Sequence, residues 1–170
     1  MGQNGSRMRV EKYEWKPFKR CPSNAVHAGE TSTDGPVFVG RVQNTPGKVN
    51  LGWHDEIRSY WVSAISGGSE EGEMLLANGK CNWVKMKRGD TFPDNAIYSG
   101  LDIKGDKVWV GKALSDGEPG KITCADNSAV PPTMWNLWTH SKGGLSECYV
   151  LTISRLPHTQ DNSGSYTVED

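Results

Sequence analysis

Two stretches of the chain share one pattern of proline, glycine and valine. Residues 22–48 read PSNAVHAGETSTDGPVFVGRVQNTPGK, and residues 93–121 read PDNAIYSGLDIKGDKVWVGKALSDGEPGK. Eleven residues are identical over the 27 positions of the first stretch, and the differences in length fall in turns. A tryptophan precedes each copy, Trp15 in the first and Trp83 in the second. We therefore predict a tandem repeat whose two copies share one fold.

The pattern inside each copy is typical of short strands joined by tight turns. Proline and asparagine open a turn, and a short strand is predicted over 25–29 and again over 96–100. Gly35 and Gly105 supply the positive φ of a hairpin turn. The next strand of each copy covers residues 37–42 and 107–113. The predicted fold class is all-β, with two intertwined repeats, short antiparallel strands and pseudo-two-fold symmetry.

Other segments complete the organisation. The window 53–65 has apolar residues at helical spacing, but its counterpart contains two prolines, so a shared fold predicts extended chain there. Five tryptophans are predicted to lie in the core: Trp15, Trp53, Trp61, Trp83 and Trp135. The predicted divisions are a basic N-terminal segment (1–12), a first repeat (13–82), a second repeat (83–156) and a polar tail (157–170).

Charge and cysteine usage narrow the class of partner. The formal net charge is −1, which argues against nucleic acid, because phosphate neutralisation needs concentrated positive charge. Four separated cysteines show no metal-ligand spacing and predict reduced thiols; no metal and no cofactor are expected. The N-terminus lacks the apolar region of a signal peptide, and no apolar run is long enough to span a membrane. These features favour a cytoplasmic or peripheral membrane protein, or one released by a non-classical route.

The N-terminal residues carry a second hypothesis. Residues 1–6, MGQNGS, fit the pattern for N-myristoylation of Gly2. One acyl chain binds membranes only marginally, but residues 2–20 hold six basic residues against two acidic ones, a second attraction toward anionic lipid. The alternative is a flexible start in which Gly2 is coincidental.

The repeated motif resembles the DM-nine repeat family. Its pattern is a tryptophan, then P-x-x-A-V/I-x-x-G-x-D-x-x-G, an aromatic strand ending in V-G-R/K, and finally P-G-K. The second copy matches nearly throughout, from Trp83 through Asp102 to Pro119-Gly120-Lys121. The first copy matches too, but Thr31 stands where the second copy has Asp102, with Glu30 and Asp34 as acidic neighbours. The resemblance covers about residues 13–155.

The resemblance implies a metal-free, all-β lectin that recognises mannose-type sugars, often as a homodimer, in agglutination or pathogen recognition. In the family an acidic residue of the G-x-D turn and the lysine of P-G-K contact sugar hydroxyls. Carried over, the sites are Asp102 with Lys121, and Lys48 with Glu30 or Asp34. Carboxylate and ammonium groups suit vicinal hydroxyls, which both donate and accept hydrogen bonds. Trp109 is a candidate stacking surface because it lies in the same copy.

Two alternatives belong to other classes. An enzyme with a Cys–His site could use His27, His54 or His140, but the sequence has no nucleophile elbow, zinc-protease motif or phosphate loop, so we expect no enzyme. The other alternative is a membrane-associated structural or adaptor protein that is anchored through Gly2 and does not bind sugar.

Overall fold

The strands of this chain form two large antiparallel sheets. The computed structural model describes residues 9–10 and 12–156. Gly2, the proposed lipidation site, and the polar tail at 157–170 lie outside the described residues. The strands are β1 Arg9–Val10, β2 Tyr13–Lys16, β3 His27–Thr31, β4 Gly35–Val42, β5 Thr45–Leu51, β6 Ile57–Val62, β7 Glu73–Ala77, β8 Cys81–Lys87, β9 Tyr98–Leu101, β10 Lys107–Lys112, β11 Pro119–Cys124, β12 Met134–Trp138, β13 Glu147–Ile153 and β14 Arg155–Leu156.

Both large sheets have six strands, and all-β is confirmed as the fold class. The first has the order β6-β5-β4-β7-β2, and β3 pairs with β4. The second has the order β12-β11-β10-β13-β8, and β9 pairs with β10. The small strands β1 and β14 pair with each other. Within the described residues the only helical element is a 3-10 turn at Trp53–Asp55, and no helix is long and apolar enough to cross a bilayer.

The core has three parts, and the middle part joins the two sheets. It combines Val37 and Val39 of β4 with Val110 of β10 and Leu151 of β13, all of them fully buried. A second cluster belongs to the second sheet and includes Trp109, and a third belongs to the first sheet. Because the shared cluster draws from both halves, each sheet covers apolar surface of the other.

Glycines allow close approach at matching places in the two sheets. Gly35 and Gly105 have φ of +69° and +85°, as the predicted hairpin turns require. A Cβ on Gly47 would collide with the carbonyl oxygen of Trp61, and one on Gly120 with that of Trp138. The glycine of each P-G-K segment therefore lets a neighbouring edge strand pack directly on the backbone.

Several details of the predicted elements differ in the structure. The strands predicted over 25–29 and 96–100 begin two residues later, because Ala25 and Ala96 form only isolated bridges. The window 53–65 is extended over β6, as the shared fold predicts, but it starts with a 3-10 turn at Trp53–Asp55 instead of extended chain. Trp53 and Trp135 were wrongly predicted as core residues: they are 79% and 46% exposed.

Candidate functional site

Asp102 and Lys121 form a nearly buried ion pair in the second sheet. Asp102 lies in the turn after β9, and Lys121 lies in β11. The Lys121 ammonium donates to Asp102 Oδ2 at 2.7 Å, and the two side chains are 8% and 1% exposed respectively. The backbone N–H groups of Lys104 and Asp106 both donate to Asp102 Oδ1 at 3.0 Å. The pair predicted from sequence is therefore a real contact, built by the hairpin turn.

The two partners of this pair have different access to ligand. Burial raises the pKa of Asp102, but the hydrogen bonds from Lys121 and from the turn outweigh it and hold the pKa below its ordinary value. With both oxygens already engaged, Asp102 is a turn residue that positions Lys121. An ammonium has three N–H donors, and Lys121 also lines an open groove of about 400 Å³. Lys121 is thus the member of the pair that can donate to a ligand.

In the first sheet, Asp34 is the acidic partner. Its Oδ2 accepts from the Lys48 ammonium at 2.8 Å and from the Thr31 hydroxyl at 3.2 Å. The Thr31 hydroxyl in turn accepts from the Asp34 backbone N–H at 3.1 Å. The other acidic neighbour, Glu30, is exposed on β3. Asp34 rather than Glu30 therefore supplies the carboxylate that the first copy lacks at Thr31.

Lys48 also contacts a second carboxylate, Glu118, which the sequence analysis did not single out. Lys48 Nζ forms an ion pair with Glu118 Oε2 at 3.0 Å. Burial lowers the pKa of Lys48, but its contacts with Asp34 and Glu118 outweigh this, and the pKa is raised. Since Lys48 is held between two carboxylates, it has less freedom than Lys121 to donate to a ligand.

Glu118 is the centre of a polar cluster between the two sheets. It is 1% exposed, and Oε1 accepts from the Thr139 hydroxyl at 2.7 Å, the Ser141 hydroxyl at 2.5 Å and the Lys142 ammonium at 3.0 Å. Burial raises the pKa of Glu118, but these donors together with Lys48 lower it to about 2. Glu118 directly precedes a P-G-K segment, at the place where the first copy has Thr45. Its burial has no signal in the local sequence, because all four of its partners lie more than 20 residues away in the chain.

The aromatic surface beside Lys121 is not Trp109. Trp109 is 7% exposed and stacks on Phe92, with ring centroids 4.0 Å apart, so its ring faces the core rather than a ligand. The groove is lined instead by Trp135 and Trp138 of β12. Trp138 lies directly across from Lys121 in the β11–β12 pair. That Trp109 belongs to the same copy as Lys121 did not mean that it faces the groove, because alternate residues of a strand face opposite sides of the sheet.

The residues considered for an enzyme occupy separate places. His27 packs edge-on against Phe38, His54 lies in the 3-10 turn, and His140 Nδ1 contacts the Val62 carbonyl. In the part of the chain that the structure describes, no histidine hydrogen-bonds a cysteine, and no three His, Cys, Asp or Glu residues are arranged to hold a metal ion. The cysteines have free thiols.

Neither a protein-family model nor a curated protein matches this chain.

Proposed function

We propose that the protein is a carbohydrate-binding protein that recognises mannose-type sugars in the groove beside Lys121. The observation that carries the proposal is that Lys121, whose ammonium is fixed by Asp102, lines a groove together with two exposed indoles. The proposal includes that the chain is a member of the DM-nine repeat family, made of two copies related by a pseudo-two-fold axis. The identical strand order of the two sheets supports this relation.

The chemistry of the groove suits a neutral polyol. Lys121 offers N–H donors to hydroxyl oxygens, and Asn136, which also lines the groove, offers its amide N–H groups, since its oxygen already accepts from Arg88. Asp106 lines the groove too and can accept from a hydroxyl. The groove is open to water, so we expect sub-millimolar affinity for one sugar unit, on the order of −4 to −6 kcal/mol.

The first copy is expected to bind sugar weakly. Asp34 lines a different cavity of about 470 Å³, together with Pro36 and Phe38. Its lysine partner, Lys48, is not among the residues lining that cavity and is held by Glu118 as well. One strong site per chain is therefore the expected stoichiometry.

Calorimetric titration with D-mannose, with and without EDTA, tests the proposal. We expect saturable binding near one site per chain that survives EDTA, and its loss in Lys121→Gln. Lys121→Arg preserves the charge paired with Asp102 while moving the donors, so it separates loss of binding from loss of fold. Lys85→Gln is the matched control, because Lys85 is exposed on β8, the opposite edge of the same sheet. Absence of heat at millimolar sugar, or equal binding by wild type and both Lys121 variants, would contradict the proposal.

A further inference from the structure

Two exposed indoles line one groove although they are three residues apart on a strand. In a regular strand, residues i and i+3 face opposite sides of the sheet. The β11–β12 register pairs Ile122 with Leu137 but Cys124 with Met134, so β12 carries one extra residue there. This bulge re-aims the side chains between the two pairs. Trp135 and Trp138 consequently line the same groove, 46% and 37% exposed.

Each indole is held in place by the protein on one side. The Arg88 guanidinium lies 4.3 Å from the ring centroid of Trp135. Arg88 is itself fixed, because it donates to the Trp135 carbonyl at 3.0 Å and to the Asn136 side chain. The ring of Trp138 lies against Gly143, where an added Cβ would be 2.7 Å from it. Both rings are therefore positioned before any ligand arrives, which lowers the entropic cost of binding.

The first sheet has no such pair. Its edge strand β6 also has a bulge. Asn50 and Leu51 of β5 are adjacent, but they pair with Ser59 and Ile57 of β6. Trp61 lies across from Lys48 there, as Trp138 lies across from Lys121. Three residues before Trp61, however, stands Arg58. Trp61 is also only partly exposed, donates to the Ser59 hydroxyl at 2.7 Å and packs edge-on against His140.

We infer that the groove beside Lys121 binds an extended carbohydrate chain, with successive sugar units stacked on Trp138 and Trp135. The inference rests on the proposed function and specifies its ligand as an oligosaccharide. One face of a pyranose ring stacks on one indole, so the two exposed indoles that line the groove offer separate stacking surfaces for two sugar units. The apolar C–H face of a second sugar unit can then pack on Trp135, whose other side is occupied by Arg88.

Charge favours a neutral chain over a nucleic acid strand. Lys104 and Lys121 line the groove, but Asp106 lines it as well, and Asp102 neutralises Lys121. Single-stranded nucleic acids combine base stacking with a strongly positive groove. With the protein's net charge at −1, the aromatic part of that arrangement is present without the electrostatic part.

The test compares affinity for methyl α-D-mannoside with affinity for a linear mannotriose by calorimetry. In the wild-type protein we expect the trisaccharide to bind at least tenfold more tightly. Trp135→Ala should weaken mannotriose binding far more than monosaccharide binding and so remove most of the gain from the longer chain. Trp135→Phe should recover part of it. Trp53→Ala is the matched control, because Trp53 is 79% exposed but lies outside the groove.

Other outcomes would contradict either the extended binding site or the proposed function. If the monosaccharide binds and the trisaccharide binds no more tightly, the extended site is refuted and the proposed function stands. If neither sugar binds, the proposed function itself fails. An equal loss in the Trp53 control, or tighter binding of a single-stranded oligothymidylate than of mannotriose, would also refute the inference.

Discussion

Glu118 is a carboxylate held away from water by the two sheets and kept ionised by its neighbours. Two ammonium groups, Lys48 and Lys142, lie 3.0 Å from its oxygens, and two hydroxyls donate to it. An isolated carboxylate so deeply buried would take up a proton instead. The lowering of its pKa to about 2 follows from this surplus of donors, which favours the charged form in the native fold.

The stability of the protein should depend on the charge of Glu118. Since the folded pKa is about 2 and lies below the ordinary value of 4.5, the contribution is complete above about pH 4.5 and is lost as the pH falls toward 2. At pH 7 we expect Glu118→Gln to lower the free energy of unfolding by about 3 kcal/mol. Urea denaturation at several pH values measures it, and the gap between wild type and variant should close between pH 4.5 and 2. Glu147→Gln, an exposed position, is the control. A gap that is independent of pH would contradict the assignment.

At the scale of the elements, the P-G-K segments lie in β5 and β11, the strands that pair with the edge strands β6 and β12. Proline begins β11 and is the second residue of β5, the glycine admits the neighbouring carbonyl, and the lysine forms the ion pair. The proline, the glycine and the lysine of each segment thus have three different structural roles. The position of Trp138 above the groove depends on the closeness that Gly120 permits.

A methyl group at Gly47 should displace the edge strand β6, and one at Gly120 should displace the edge strand β12. Because an added Cβ would collide with a backbone carbonyl rather than with a flexible side chain, Gly47→Ala and Gly120→Ala should each cost at least about 2 kcal/mol of stability, measured by urea denaturation. Gly29→Ala is the control: its Cβ would meet other atoms at 3.6 Å or more, an ordinary contact, so little change is expected. Equal effects in all three variants would show that the strand spacing adapts.

The elements were more predictable from sequence than the site. Turn glycines and alternating valines act locally, so Gly35, Gly105 and the strands around Val39 and Val110 could be anticipated. Glu118 and Trp135 could not, because their surroundings come from distant segments. The burial of Glu118 depends on Lys48 and Thr139, and the exposure of Trp135 depends on a bulge that shifts the register. Interleaved contacts of this kind have no local signal.

At the scale of the whole molecule, residues of each half bind the backbone of the other. The Arg41 guanidinium in β4 donates to the Ser99 carbonyl in β9 at 2.8 Å. In the opposite direction, the Lys112 ammonium in β10 donates to the Ala28 carbonyl in β3 at 2.6 Å. Each cation also lies over a tryptophan of its own half, Arg41 over Trp15 and Lys112 over Trp83. The shared core and the Lys48–Glu118 pair add to this exchange.

The two halves should therefore not fold alone. Separated between Gly79 and Lys80, fragments 12–79 and 80–156 would each expose one side of the shared core and leave cross-sheet donors without their carbonyls. We expect neither fragment to show a cooperative urea transition by circular dichroism, and an equimolar mixture to recover one. The full chain cleaved after folding, at a protease site inserted in the same turn, controls for the break itself and should stay folded. A cooperative transition in either isolated fragment would mean that one sheet with its own core is sufficient, and that the contacts between the halves only dock two independent units.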